Sequence, residues 1–220
     1  MRAGEDSGPR RHSHGATGEP LLEPLLARYR YRYSLGVIRE LAAAGGRLVG
    51  LDLGCGFRGE FVRRARRIAG VEFYGADLHV EDDPHLLRFD FSSPPRLPFR
   101  PNVVTMHAVL EHLEDPEGAV RYVRDALAPG GLFLFTVPSP TAKPILEFLS
   151  FRLGLVSRRE IEDHKRYFDR TSCLALVEPY FGDVRHSYFQ FGLNNRVVAR
   201  LKSPPPEGSK AEPDKERDEG

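Results

Sequence analysis

Between residues 21 and 202, short unbroken apolar runs alternate with segments whose apolar residues recur every three or four positions. Leu25, Leu26, Tyr29, Tyr33, Val37, Ile38 and Leu41 fall at helical spacing, and Gly45-Gly46 closes the segment. This predicts a first helix with its tyrosines inward and Arg28, Arg30 and Arg32 solvated. Leu48 to Leu53 is a short, mainly apolar run that breaks into glycines at Gly54, as a buried parallel strand does. Glu60 to Ala69 is amphipathic, with Phe61, Val62, Ala65, Ile68 and Ala69 inward and Arg63, Arg64, Arg66 and Arg67 exposed. Val71 to Asp77 predicts a second strand. Only twelve residues then separate Asp77 from Asp90. A full helix and a further strand do not both fit, so the helix after the second strand is expected to be missing or shortened. A short strand is expected near Leu86 to Phe89.

Asn102 to Ala108 predicts a fourth strand. Asp115-Pro116-Glu117 then supplies a cap, a first-turn proline and an acid for a helix with Ala119, Val120, Val123, Ala126 and Leu127 inward. Leu132 to Val137 is a fifth apolar run. Residues 138–172 read as a lid-like insertion over the strand ends, and its apolar stretch from Ile145 to Val156 suits a lid, a homodimer surface or a membrane-surface patch. A helix over Cys173 to Tyr180 and strands over Val184 to Phe191 and Asn195 to Leu201 complete the chain.

Composition narrows the class. The 220 residues suffice for one domain, 21–202, between two polar tails, 1–20 and 203–220, that are expected to be disordered. A net charge of +1 calls for neither nucleic acid nor an anionic membrane. Cys55 and Cys173 give no disulfide framework and no zinc spacing. No stretch has the length of a transmembrane helix and the N-terminus lacks an apolar signal core, so a soluble, cytoplasmic protein is expected.

The candidate chemistry starts at Gly54, Gly56 and Gly59, which form G-x-G-x-x-G between a strand and a helix and suit a nucleotide-type ligand. Asp52 lies two residues before the first glycine. A dinucleotide fingerprint keeps that strand apolar, whereas an acid there suits a ligand with a cationic end. Asp77, about twenty residues beyond the loop, stands where an acid can take both hydroxyls of a ribose.

Val49-Gly50-Leu51-Asp52-Leu53-Gly54-Cys55-Gly56 resembles the first motif of the class I S-adenosylmethionine-dependent methyltransferases. Further motifs follow in the family's order up to about Pro138. Phe89-Asp90-Phe91 with Leu97-Pro98-Phe99 is similar to the third motif, and Leu127-Ala128-Pro129-Gly130-Gly131 to the stretch before the fifth strand. Pro101-Asn102 departs from the usual Phe-Asp. The resemblance implies an α/β, Rossmann-like, seven-stranded mixed sheet flanked by helices. It also implies a C-terminal antiparallel hairpin turning at Gly192-Leu193-Asn194, with one reversed strand at the sheet edge. It implies S-adenosyl-L-methionine as cofactor, held by Asp52, Gly54, Cys55, Gly56, Asp77, Leu78, Asp90, Phe91 and His107. Within that set Asp90 would accept from the adenine amine, and Phe91 would stack or offer its N–H. The first helix would roof the cleft.

The implied function is methyl transfer to a small-molecule acceptor: a sugar, a lipid precursor or a secondary metabolite. The alternatives are a degenerate methyltransferase-fold binding module and an NAD(P)-dependent oxidoreductase, the latter disfavoured by Asp52. Candidate bases are His107, Glu111, His112 and His164, although methyl transfer needs a base only for a hydroxyl or a protonated amine. Glu111-His112 resembles the end of a Glu-x-x-Glu-His metal site of ubiquinone-pathway and small-RNA methyltransferases. Ala108 stands where the first carboxylate would be, and no metal is assigned.

Overall fold

The computed structural model describes residues 23–145 and 165–202. Both expected tails, most of the insertion proposed as lid or dimer surface, and His164 lie outside the described residues. The strands are β1 (Leu48–Leu53), β2 (Val71–Asp77), β3 (Leu86–Arg88), β4 (Val103–His107), β5 (Leu132–Pro138), β6 (Phe181–Phe189) and β7 (Asn194–Leu201). The helices are α1 (Glu23–Ala43), α2 (Glu60–Ala65), α3 (Pro116–Ala126) and α4 (Arg170–Val177), with a 3-10 turn at Leu110–His112.

The strands form one mixed sheet in the order β3-β2-β1-β4-β5-β7-β6. β1 to β5 run parallel, and β7 pairs antiparallel with both β5 and β6. The reversed strand is therefore one place in from the edge, not at it: β6 returns beyond β7 and becomes the edge strand. β1, β4 and β5 are buried almost throughout, which is why they read as predominantly apolar runs, broken only at Gly50, Asp52, Thr105, His107 and Thr136. One face packs Ile38, Phe61, Phe73 and Leu134, and the other packs Met106, Phe133, Phe135, Val120, Val123 and Val177. Asn102 completes the β1 ladder by accepting from Val49 N–H through Oδ1 (3.0 Å) and donating its own N–H to Val49 O (2.7 Å).

No helix lies between β2 and β3. A loop takes its place, braced by an Arg63–Glu81 ion pair and by Glu81 N–H on Phe57 O at 3.0 Å. Other boundaries shift for local reasons. α4 starts earlier than expected because Asp169 and Ser172 form a reciprocal capping box. The β6–β7 turn covers Gln190 to Leu193, with Gln190, Phe191 and Gly192 all at positive φ. α1 turns differently from expectation: Tyr31, Ser34, Leu35 and Ile38 face the core, while Tyr29 (56% exposed) and Tyr33 (36%) do not. The inward stripe is set by the spacing 31, 34, 35, 38, which an alternation of Arg and Tyr cannot follow.

Candidate functional site

The carboxyl ends of β1 and β2 lie side by side, and the glycine loop leaves β1 between them. Gly54 (φ +78°) donates its N–H to Ala76 O at 2.8 Å, and a Cβ built there would lie 2.3 Å from Val109 Cγ2. Gly56 (φ +71°) faces open space where its Cβ would be. Its N–H donates to Asp77 Oδ2 at 2.9 Å, drawing the acid of β2 onto the loop of β1. Cys55 is buried, and burial together with Asp52 and Asp77 pushes its thiol pKa up. It is a protonated wall of the loop. Leu78, next to Asp77, is 53% exposed at the rim.

Behind the loop lies a buried polar chain. Asp52 Oδ1 accepts from Thr105 Oγ1 at 2.6 Å and lies 3.3 Å from His107 Nδ1, while His107 Nε2 is 2.9 Å from Ser34 Oγ. Ser34, Asp52 and Thr105 are buried, and the His107 side chain is only 4% exposed. A carboxylate only accepts, so Nδ1 carries the ring proton toward Asp52, and in the neutral ring Nε2 accepts from the Ser34 hydroxyl. Tyr31 and Phe61 close over the imidazole at centroid distances of 5.2 and 4.5 Å. Burial, aided by Asp52, pushes the Tyr31 phenol up to about 12. The next residue, Ala108, holds φ +55°, a left-handed conformation that turns the chain sharply out of β4.

The remaining candidates separate. Asp90 is exposed, and its Oδ1 accepts from Ser92 N–H at 2.8 Å, a bond that holds its pKa below the ordinary carboxylate range. Phe91 packs edge-on against Phe89 at 4.9 Å. Glu111 is fully buried in the 3-10 turn, and its backbone carbonyl accepts from Lys165 N–H at 3.0 Å. His112 follows it in the same turn. Glu111 thus meets the segment that returns at Lys165 through its backbone. Among the described residues no group of three or more His, Cys, Asp or Glu side chains is arranged to hold a metal ion.

Ser34, Thr105 and Tyr31 were not among the sequence candidates. Thr105 carried a signal, since it interrupts an apolar strand and is the register partner of Asp52. Ser34 carried none, because its role depends on how α1 crosses the end of β4. The residues present suit adenosylmethionine: a cradle open at Gly56, an acid at the end of β2 and a buried acid at the end of β1. An acid beside a backbone N–H suits ribose hydroxyls, and a second carboxylate suits a cationic amino group.

A family model described as a methyltransferase domain matches residues 25–180. A malonyl-[acyl-carrier protein] O-methyltransferase from Chlorobium luteolum is 43% identical over 95 residues, 42% of this chain and 36% of that protein. The chain thus matches only about a third of that relative's length. Among solved structures, the small RNA methyltransferase HEN1 superposes with a TM-score of 0.61 at 18% identity, covering 86% of this chain and 27% of that one. The N-methyltransferase NodS from Bradyrhizobium japonicum, in complex with S-adenosyl-l-homocysteine, superposes with a TM-score of 0.51 at 16% identity, covering 86% and 91%. These structural likenesses bear on the fold alone.

Proposed function

We propose a reaction for a chain that belongs to the class I S-adenosylmethionine-dependent methyltransferases: transfer of a methyl group to a small-molecule acceptor such as a sugar, a lipid precursor or a secondary metabolite. The carrying observation is the convergence of Asp77 and the Gly56 N–H on one point beside an open cradle, with Asp52 buried next to it. Bound adenosylmethionine would supply an already activated methyl group. Asp77 would take the ribose hydroxyls and exchange its bond to Gly56 N–H for them. Asp52, already oriented by Thr105, would place negative charge near the amino group. Asp90 and Phe91 would line the adenine side, with Leu78 at its rim.

We assign His107 a positioning role. Both ring nitrogens are engaged inside the protein, by Asp52 and Ser34, so taking a proton from an acceptor would first require the Ser34 bond to break. Orientation of two partners in line can then supply much of the rate. The carrier-protein relative makes carboxylates the first acceptor class to screen, followed by hydroxyls.

Calorimetric titration with S-adenosylhomocysteine tests the cofactor assignment. Saturable binding, weakened at least about tenfold in Asp77→Ala, is expected. No binding to the wild-type protein would hand the lead to a binding module without turnover.

A further inference from the structure

A second concave site lies away from the glycine loop, between α1 and the β5-β7-β6 end of the sheet. It has a volume of about 660 Å³ and is lined by Arg32, Arg185, Arg196 and Arg200 together with Tyr29 and Tyr33. That volume falls in the range of small-molecule sites, about 300–1,000 Å³. None of the residues expected to hold the cofactor lines it.

The pattern on β7 is the first argument. Val197 and Ala199 point into the apolar core, so Arg196, Val198 and Arg200 share the opposite face, under α1. A helix-covered sheet face ordinarily carries apolar residues, yet this one carries arginine at alternate positions. β6 adds a third on the same face, since Arg185 is the register partner of Val198 and Ser187 that of Arg196. Arg32 enters from α1. Gly36 of α1 and Ala44, just past the helix end, are small, line the groove and leave it room.

The charge balance is the second argument. Four guanidiniums face two carboxylates, Glu40 and Asp183, an excess of two positive charges, and the Arg185–Asp183 pair at 3.3 Å is an exposed one that a ligand can exchange. A concave site with one excess sign concentrates the opposite charge. Arg196 is also held in place: its Nε donates to Ser187 Oγ at 2.6 Å and its guanidinium lies 4.0 Å above the Tyr33 ring. Arg200 is fixed by donating to Gly130 O at 2.8 Å. Planar, pre-positioned guanidiniums match phosphate oxygens in pairs. Tyr29, over half exposed and stacked on Phe189 with centroids 6.1 Å apart, offers a flat apolar surface at the other end of the row.

We propose that this groove binds a phosphorylated small organic molecule of nucleotide size, its phosphates held by Arg32, Arg185 and Arg196 and its flat body laid against Tyr29. The site is independent of the methyl-transfer reading. It is tested on the full chain by calorimetry with ATP, inorganic pyrophosphate and adenosine as probes, each with and without S-adenosylhomocysteine. ATP is expected to bind with an affinity that S-adenosylhomocysteine does not change, and pyrophosphate and adenosine at least about tenfold more weakly. Arg32→Ala/Arg185→Ala, which removes only exposed side chains, should weaken ATP about tenfold or more at an unchanged melting temperature, and Arg196→Ala should weaken it as much, with a lower melting temperature from the lost Ser187 and Tyr33 contacts. ATP binding equal in those variants, absent from the wild type, or abolished by S-adenosylhomocysteine would overturn the proposal.

Discussion

Gly54 and Gly56 occupy equivalent-looking positions in the motif, yet they are glycine for different reasons. At Gly54 a side chain would collide with Val109, 2.3 Å away, and would also have to hold φ +78°. At Gly56 nothing stands in the way except φ +71° and the space a ligand needs. Gly54→Ala should therefore lower stability by about 1–3 kcal/mol as well as weaken S-adenosylhomocysteine. Gly56→Ala should cost about 1–2 kcal/mol or less in urea unfolding while losing most of the cofactor affinity. Wild-type affinity in Gly56→Ala would show that the cradle lies elsewhere. Thr105 is the third informative residue. Replacing it with Val deprives buried Asp52 of a donor at 2.6 Å and should cost about 1–3 kcal/mol, read as a drop in the urea midpoint.

At the scale of elements, two buried polar contacts fix parts that apolar packing alone would leave free to slide. Asn195, fully buried on β7, accepts from His186 Nε2–H at 2.8 Å through Oδ1 and donates through Nδ2 to Phe168 O at 2.6 Å. It ties the hairpin to the segment leading into α4. Asn195→Ala should destabilise by about 1–3 kcal/mol, with the backbone carbonyl of Phe168 left unsatisfied. α1 is fastened at its middle by Ser34 on His107. In Ser34→Ala, amide hydrogen exchange should speed up in α1 while β1, β4 and β5 keep their protection. Uniformly faster exchange would mean that α1 and the sheet open as one unit. The elements were largely legible from apolar periodicity, including the missing crossover helix. Their rotations and caps were not: the inward face of α1 depends on what it meets, and α4 begins where Asp169 and Ser172 cap each other.

For the molecule as a whole, burial of acids that must stay protonated sets an alkaline limit. Tyr31 moves from 10.0 to about 12 and Cys173 from 9.0 to about 12, both chiefly through desolvation, and Cys55 is raised as well. Each group holds its proton more tightly folded than unfolded. Their contribution is thus complete below the unfolded values and is lost as pH rises from about 9 toward about 12. Urea midpoints should fall across that window, and Tyr31→Phe should flatten part of the fall. A midpoint independent of pH there would contradict the burial of these groups. No helix among the described residues is long and apolar enough to cross a membrane.

The sequence by itself determined the order of strands and helices, the glycine loop and the acids at the ends of β1 and β2, because these follow from apolar runs and turn residues a few positions apart. It also carried the family, whose motifs are contiguous in the chain. Only the tertiary structure decided that β7 sits between β5 and β6, that Ser34 reaches His107 across 73 positions, and that arginines from α1, β6 and β7 meet in one groove. Each of those depends on which strand edge pairs with which and on how a helix is rotated over the sheet. Packing settles both at once across the whole domain, and no local stretch encodes either.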